Sequence, residues 1–213
     1  MAEITADLLV SALDKVGASF APGELAYLAL TSKPELPIRD RLAWALHTEL
    51  PHCVVAREWK AAGLPGRART DLAVLDGPGR HPLALLEAKA AYTFDFAGEH
   101  RQAAAAYTQR VSDDLAKARL AAQGRPVAAY ALMLLTHPMG TLVDLPGVIK
   151  YYADISRSVR SYTAEGLRAL AGRTACTIFQ ELGPIRTGSL QGGVAFGTEV
   201  SVDYWLIGPV LQT

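Results

Sequence analysis

Several features that would point directly to a function are missing from this chain. It has no surplus of charge: 21 lysines and arginines face 21 aspartates and glutamates, for a formal net charge of zero. Such a chain is not drawn to nucleic acid or to an anionic surface by bulk charge, so any polyanionic partner must be held by a local patch. Cysteine is scarce. Cys53 and Cys176 are the only two; they lie far apart, form no CxxC pair and cannot ligate zinc by themselves. Their scarcity points to a reducing, cytoplasmic setting. No apolar run reaches the ~18 residues of a membrane span. The opening MAEITADLLVSALDKVG has early acids and no long apolar centre, so it reads as a helix and not as a secretory signal. His47, His52, His81, His100 and His137 stand in no HExxH or HxH arrangement. There is no GK[ST] loop, no strand–GxGxxG–helix and no GxSxG elbow, and no internal repeat or heptad array.

What remains is an ordinary globular composition, 50% hydrophobic and 20% charged over 213 residues, a length that suits one domain with one sizeable core. Ile4, Leu8, Leu9, Leu13 and Val16 have the spacing of an amphipathic helix. A second helix is expected over GELAYLAL. TSKPELP, with two prolines, breaks the pattern, and IRDRLAWALHTEL follows as a helix with Leu42, Leu46 and Leu50 on one face. CVVAREW, ARTDLAVLDG and PLALLEAKA read as three strands joined by short turns, an antiparallel meander. Residues 98–123, rich in Ala, Gln and Arg, predict a long helix stopped by Gly124 and Pro126. VAAYALMLLTH is a near-continuous apolar run, the mark of a strand buried on both faces. Beyond it, one helix is expected over GVIKYYADISRSVRSYTAEGLRALAG, strands over TACTIFQEL and TEVSVDYWLIGPV, and a loop or hairpin over the glycine-rich piece between them.

The chemistry concentrates at LLEAKA. Residues two apart on a strand share a face, so Glu87 and Lys89 point the same way and Ala88 the other. Asp71, sixteen residues upstream in RTDLAVL, can reach the pair if the two strands are neighbours. Two carboxylates held together repel unless a divalent cation relieves them. Mg²⁺ accepts one or two carboxylates with water and phosphate, and the Ala88 carbonyl could add a third oxygen. A lysine beside such an ion can lower the pKa of an attacking water or stabilise charge on a phosphoryl oxygen. The competing reading is a solvated strand end with a weak surface ion pair.

RTDLAVL with Asp71, LLEAKA with Glu87 and Lys89, a preceding helix carrying an acid, and a following helix and apolar strand together resemble the PD-(D/E)XK nuclease superfamily. The resemblance covers about residues 35–137. It implies an α/β (α+β) fold with a restriction-endonuclease-like αβββαβ core, a central mixed sheet flanked by helices. Residues 1–34 would form an N-terminal helical extension, and residues 138–213 would add further strands and a helix. It implies a Mg²⁺- (or Mn²⁺-) dependent nuclease acting on nucleic acid, DNA before RNA, in a defence, restriction or repair role such as bacteria use. Asp71, Glu87 and Lys89 would be catalytic. Asp71 and Glu87 would hold the ion together with the Ala88 carbonyl and an acid of the preceding helix, Asp40 first, with Glu35 and Glu49 as alternatives. Arg39, Arg69 and Gln102 are candidates for contact with the nucleic acid. Enzymes that cut both strands are often homodimers, and VDYWLIGPV would suit an interface strand. The sequence departs from the pattern at Thr70, where a proline often precedes the aspartate. Gln102 and Tyr107 lie five apart, not four. The alternative to an enzyme is a catalytically inactive nuclease-like module that binds a protein or nucleic-acid partner.

Overall fold

The computed structural model describes residues 3–97 and 101–212. Its element order is α1 (Ala6–Ala18), α2 (Glu24–Thr31), α3 (Glu35–Glu49), β1 (Cys53–Trp59), β2 (Thr70–Asp76), β3 (Pro82–Tyr92), a 3-10 turn (Thr93–Phe96), α4 (Arg101–Ala122), β4 (Val127–Pro138), α5 (Tyr152–Ser161), α6 (Ala164–Phe179), β5 (Ile185–Ala195) and β6 (Thr198–Gln212). The fold is mixed α/β: a six-stranded mixed sheet in the order β1-β2-β3-β4-β6-β5, flanked by helices. β1, β2 and β3 form the antiparallel meander, β4 joins β3 in parallel, and β6 and β5 complete the sheet antiparallel. The parallel step requires a crossover, and α4 supplies it.

Strand alternation divides the core in two. Leu72, Val74, Leu86, Ala88, Leu132, Leu134, Val202 and Leu206 face α1, α2 and α3. Ala73, Leu85, Ala91, Ala131, Met133, Leu135 and Trp205 face α4 and α6. β4 is buried along almost its whole length, as its unbroken apolar run requires. β5 and β6 extend the same sheet, and α1 packs on α3. Among the described residues, no helix is long and apolar enough to cross a membrane.

Three local expectations are corrected. TACTIFQEL is not a strand: it belongs mostly to α6, where Ala171, Ala175 and Phe179 recur every four residues on the buried side. The helix expected from residue 147 is two helices, divided at Thr163, whose side chain accepts a hydrogen bond from the Gly166 N–H at 3.1 Å and caps α6. VDYWLIGPV is an interior strand segment between β4 and β5 and cannot serve as a free edge for a partner. The glycine-rich segment contributes β5, the hairpin partner of β6.

α3 starts earlier than its two prolines suggest. Pro37 sits in the first turn, where a helix has no use for a backbone N–H. That early start makes Glu35 a helical residue aimed at the sheet.

Candidate active site

β2 and β3 pair only as far as Leu72 opposite Leu86. Beyond that point the strands part, and β3 continues beside β4 alone, with Glu87 opposite Ala131 and Lys89 opposite Met133. The N–H groups of Ala88 and Ala90 on the parted side would otherwise lack partners. Two carboxylates take them: Asp71 Oδ2 accepts from Ala88 N at 2.8 Å, and Glu35 Oε2 accepts from Ala90 N at 3.0 Å. Acids from β2 and α3 thus continue the ladder where the strand leaves it.

Glu87 and Lys89 point toward α4, on the face that also carries Ala73 and Ala91. There they meet two residues of that helix. Lys117 Nζ lies 2.6 Å from Glu87 Oε1 and 3.5 Å from Asp114 Oδ1, and Lys89 Nζ lies 2.7 Å from Asp114 Oδ2. Lys117 also donates to the Arg69 carbonyl at 2.9 Å, and Lys89 to the Ala88 carbonyl at 3.1 Å. The result is an alternating chain of charge, Glu87–Lys117–Asp114–Lys89. Glu87 is only 4% exposed. Its Oε1 has the Lys117 ammonium as its close partner, and Asp114 Oδ2 has that of Lys89.

The electrostatics follow from burial and crowding. Burial, with Asp71 adding repulsion, pushes the Glu87 carboxyl up to about 8 against the opposing pull of Lys117. Glu35 is also raised by burial, with Asp71 adding to the effect and Lys89, the Ala90 N–H and Lys33 opposing it. Burial alone would lower Lys89, but Asp114, Asp71 and Glu87 outweigh it and hold the ammonium above its ordinary value. Lys89 is therefore a fixed positive charge and not a base.

The residues named from sequence separate into groups. Asp71, Glu87, Lys89 and the Ala88 backbone come together at the parted strands. Asp40 does not join them. Half-exposed, it pairs with Arg39 at 3.0 Å and Arg57 at 2.8 Å on the outer side of α3 and β1. Glu49 is further away, ion-paired to Lys15. Glu35 is the acid of α3 that reaches the site. Arg39 does not present itself to a polyanion either. It is 7% exposed, and its guanidinium is taken up by Asp40, Glu58 and, at 3.6 Å, Asp71. Arg69 is exposed, donates to the Glu58 carbonyl at 2.9 Å and flanks the site. The Gln102 side chain lies outside the described structure. Among the described residues, no three His, Cys, Asp or Glu side chains gather closely enough to form a metal-binding group.

Asp114 and Lys117 escape a reading based on strands alone. A signal was available in the helix: Val111, Leu115 and Ala118 form its buried stripe, and Asp114 sits three residues after Val111 and four before Ala118. An acid on the apolar side of an amphipathic helix needs a cationic partner beneath it.

No protein-family model, no curated protein and no solved structure matches this chain.

Proposed function

We propose that the chain is a Mg²⁺- (or Mn²⁺-) dependent nuclease that hydrolyses phosphodiester bonds, with DNA as the favoured substrate, on a restriction-endonuclease-like core of the PD-(D/E)XK type. One observation carries this reading. The carboxylate of Asp71 is bonded to the backbone of Ala88, the residue between Glu87 and Lys89. A solvated strand end has no reason to bring a distant acid to that position. The order α3-β1-β2-β3-α4-β4, with an antiparallel meander followed by a parallel strand, accords with the αβββαβ core that the resemblance implies.

The donor set suits a hard dication as two carboxylates, Asp71 and Glu87, with the Ala88 carbonyl. Mg²⁺ commonly takes that few protein ligands and fills the rest of its shell with water and phosphate. The buried Glu87 carboxylate, which already draws an ammonium to 2.6 Å, is the group that points to a cation here. A bound ion would supply a water of lowered pKa and relieve the repulsion between the two carboxylates. The protein's own groups do the remainder. Lys89, kept protonated by Asp114, offers positive charge to the phosphoryl oxygen on which charge builds. Glu35 and Asp71 fix the β3 backbone from one side, and Arg69 at the rim stands ready for a neighbouring phosphate.

Incubation of purified protein with single- and double-stranded DNA and with RNA in Mg²⁺ or Mn²⁺ tests this. Cleavage should occur and should vanish in Asp71→Ala and Lys89→Ala proteins that still melt cooperatively. An absence of cleavage on every substrate with both ions would sink the reading.

A second reading, a nuclease-like module that binds a partner without cutting, is favoured by the internal neutralisation of the site, since Lys117 and Lys89 already balance Glu87 and Asp114. Calorimetry separates the two: the binding module predicts no Mn²⁺ affinity that depends on Asp71.

A further inference from the structure

The proposed reaction leaves one residue of the site without a role. Lys117 makes the closest cationic approach to Glu87 and comes from α4, not from the strands that carry the other groups. We infer that the Lys117 ammonium is the resident occupant of the cation position beside Glu87, that a divalent ion and this ammonium exclude one another, and that Asp114 receives the ammonium when the ion enters. The inference rests on the metal-dependent reading above.

Three observations support it. First, Lys117 Nζ stands 2.6 Å from Oε1 of the buried Glu87 and so already fills a cation position beside that carboxylate. Second, a dication on the Glu87 carboxylate would lie within ~4 Å of the ammonium, and the burial of Glu87 limits how far water can screen the repulsion. Third, the alternative seat already exists. Asp114 Oδ1 is 3.5 Å from the same Nζ, one helical turn back on α4, and the Arg69 carbonyl holds the ammonium at 2.9 Å on the other side. The four-carbon stem of lysine allows a small swing between the two carboxylates with no movement of the helix.

The device has a purpose in physical terms. Asp71 has Arg39 and the Ala88 N–H beside it, but the more deeply buried Glu87 would lack a close cation of its own whenever the ion is absent. Lys117 covers that state and sets a threshold of ion concentration for loading.

The experiment is Mn²⁺ binding to chelator-treated full-length protein without nucleic acid, by calorimetry and by electron paramagnetic resonance, at one fixed pH. Lys117→Met should bind Mn²⁺ at least tenfold more tightly than the native chain, and Lys117→Arg should not. Without metal, Lys117→Met should melt at a lower temperature, and saturating Mn²⁺ should raise its melting point by more than it raises that of the native protein. Lys117→Gln, which can still donate to Glu87, serves if the methionine variant does not fold. Native protein that binds Mn²⁺ with both neutral variants no tighter would overturn the competition and leave the nuclease reading standing. Failure of the native protein and of both neutral variants to bind Mn²⁺ would overturn the metal reading and this inference together.

Discussion

Asp71 and Ala88 are joined by a 2.8 Å hydrogen bond across the gap where β2 and β3 part, carboxylate to backbone N–H. Asp71 therefore has two duties that substitution can separate. Its Oδ2 completes the β3 ladder, and its negative charge faces Glu87 and, at 3.6 Å, Arg39.

The first expectation follows. In Asp71→Asn the side-chain oxygen can still accept from Ala88, so the melting temperature should stay within a few degrees of the native value, while Mn²⁺ affinity and cleavage should be lost. Asp71→Ala should lose both functions and in addition about 1 kcal/mol of stability from the unpaired N–H. Paired thermal melts and calorimetry read the difference. If the asparagine variant bound Mn²⁺ as the native chain does, Asp71 would not be a ligand.

The acid of α3 gives a second test. Glu35 bonds to Ala90 N and feels Lys89 and Asp71, whereas Asp40 is held by Arg39 and Arg57 away from the parted strands. Cleavage by Glu35→Gln should fall at least tenfold, and cleavage by Asp40→Asn should fall less than about threefold, at equal helix content by circular dichroism. The reverse ranking would return the role to Asp40.

The contrast between these two acids shows where the sequence was legible. β1, β2 and β3 could be read because their apolar runs are short and are bounded by Gly, Pro and Asp turn signals. β4 could be read because a strand covered on both faces is near-continuously apolar, and Gly124 and Pro126 mark its start. The choice among Glu35, Asp40 and Glu49 could not be read, because it depends on the start of α3 and on its rotation over the sheet. A proline in the first turn hides that start. α6 was misread in part because Thr, Cys, Ile and Phe favour strands locally, while the four-residue recurrence of Ala171, Ala175 and Phe179 decides the matter only once a sheet lies beneath them. Lys117 and Asp114 needed knowledge of which face of α4 meets Glu87, a tertiary fact with only a weak trace in the helix pattern.

A third expectation concerns His137, 1% exposed at the end of β4, with Nδ1 3.2 Å from Thr93 Oγ1. Burial, with Arg168 of α6 adding to it, lowers its pKa from 6.5 to about 4 against the opposing pull of Asp203 of β6 and Glu165 of α6. Because the folded pKa lies below the unfolded one, the unfolded chain binds more protons between those values. The contribution to stability is complete above about pH 6.5 and is lost as the pH falls toward 4. The native protein should lose up to about 3 kcal/mol relative to His137→Gln over that window in urea titrations. Parallel profiles for the two proteins would show that the histidine is not held neutral by its surroundings.

Glu87 gives the opposite sign and the last expectation. Its folded pKa is raised from 4.5 to about 8, chiefly by burial and then by Asp71. Here the folded chain binds more protons than the unfolded one between those values. The contribution is complete below about pH 4.5 and is lost as the pH rises through 8. Metal-free native protein should therefore lose stability on the order of a few kcal/mol relative to Glu87→Gln as the pH rises across that range. Glutamine preserves the shape and carries no charge to bury, so its profile should lack this slope. Saturating Mn²⁺ should remove the slope from the native protein alone, since a dication stabilises the ionised carboxylate that burial disfavours. Urea titrations at about pH 5 and about pH 8.5, with and without Mn²⁺, measure all four combinations. A native slope that persists in saturating Mn²⁺ would mean that the ion does not reach Glu87.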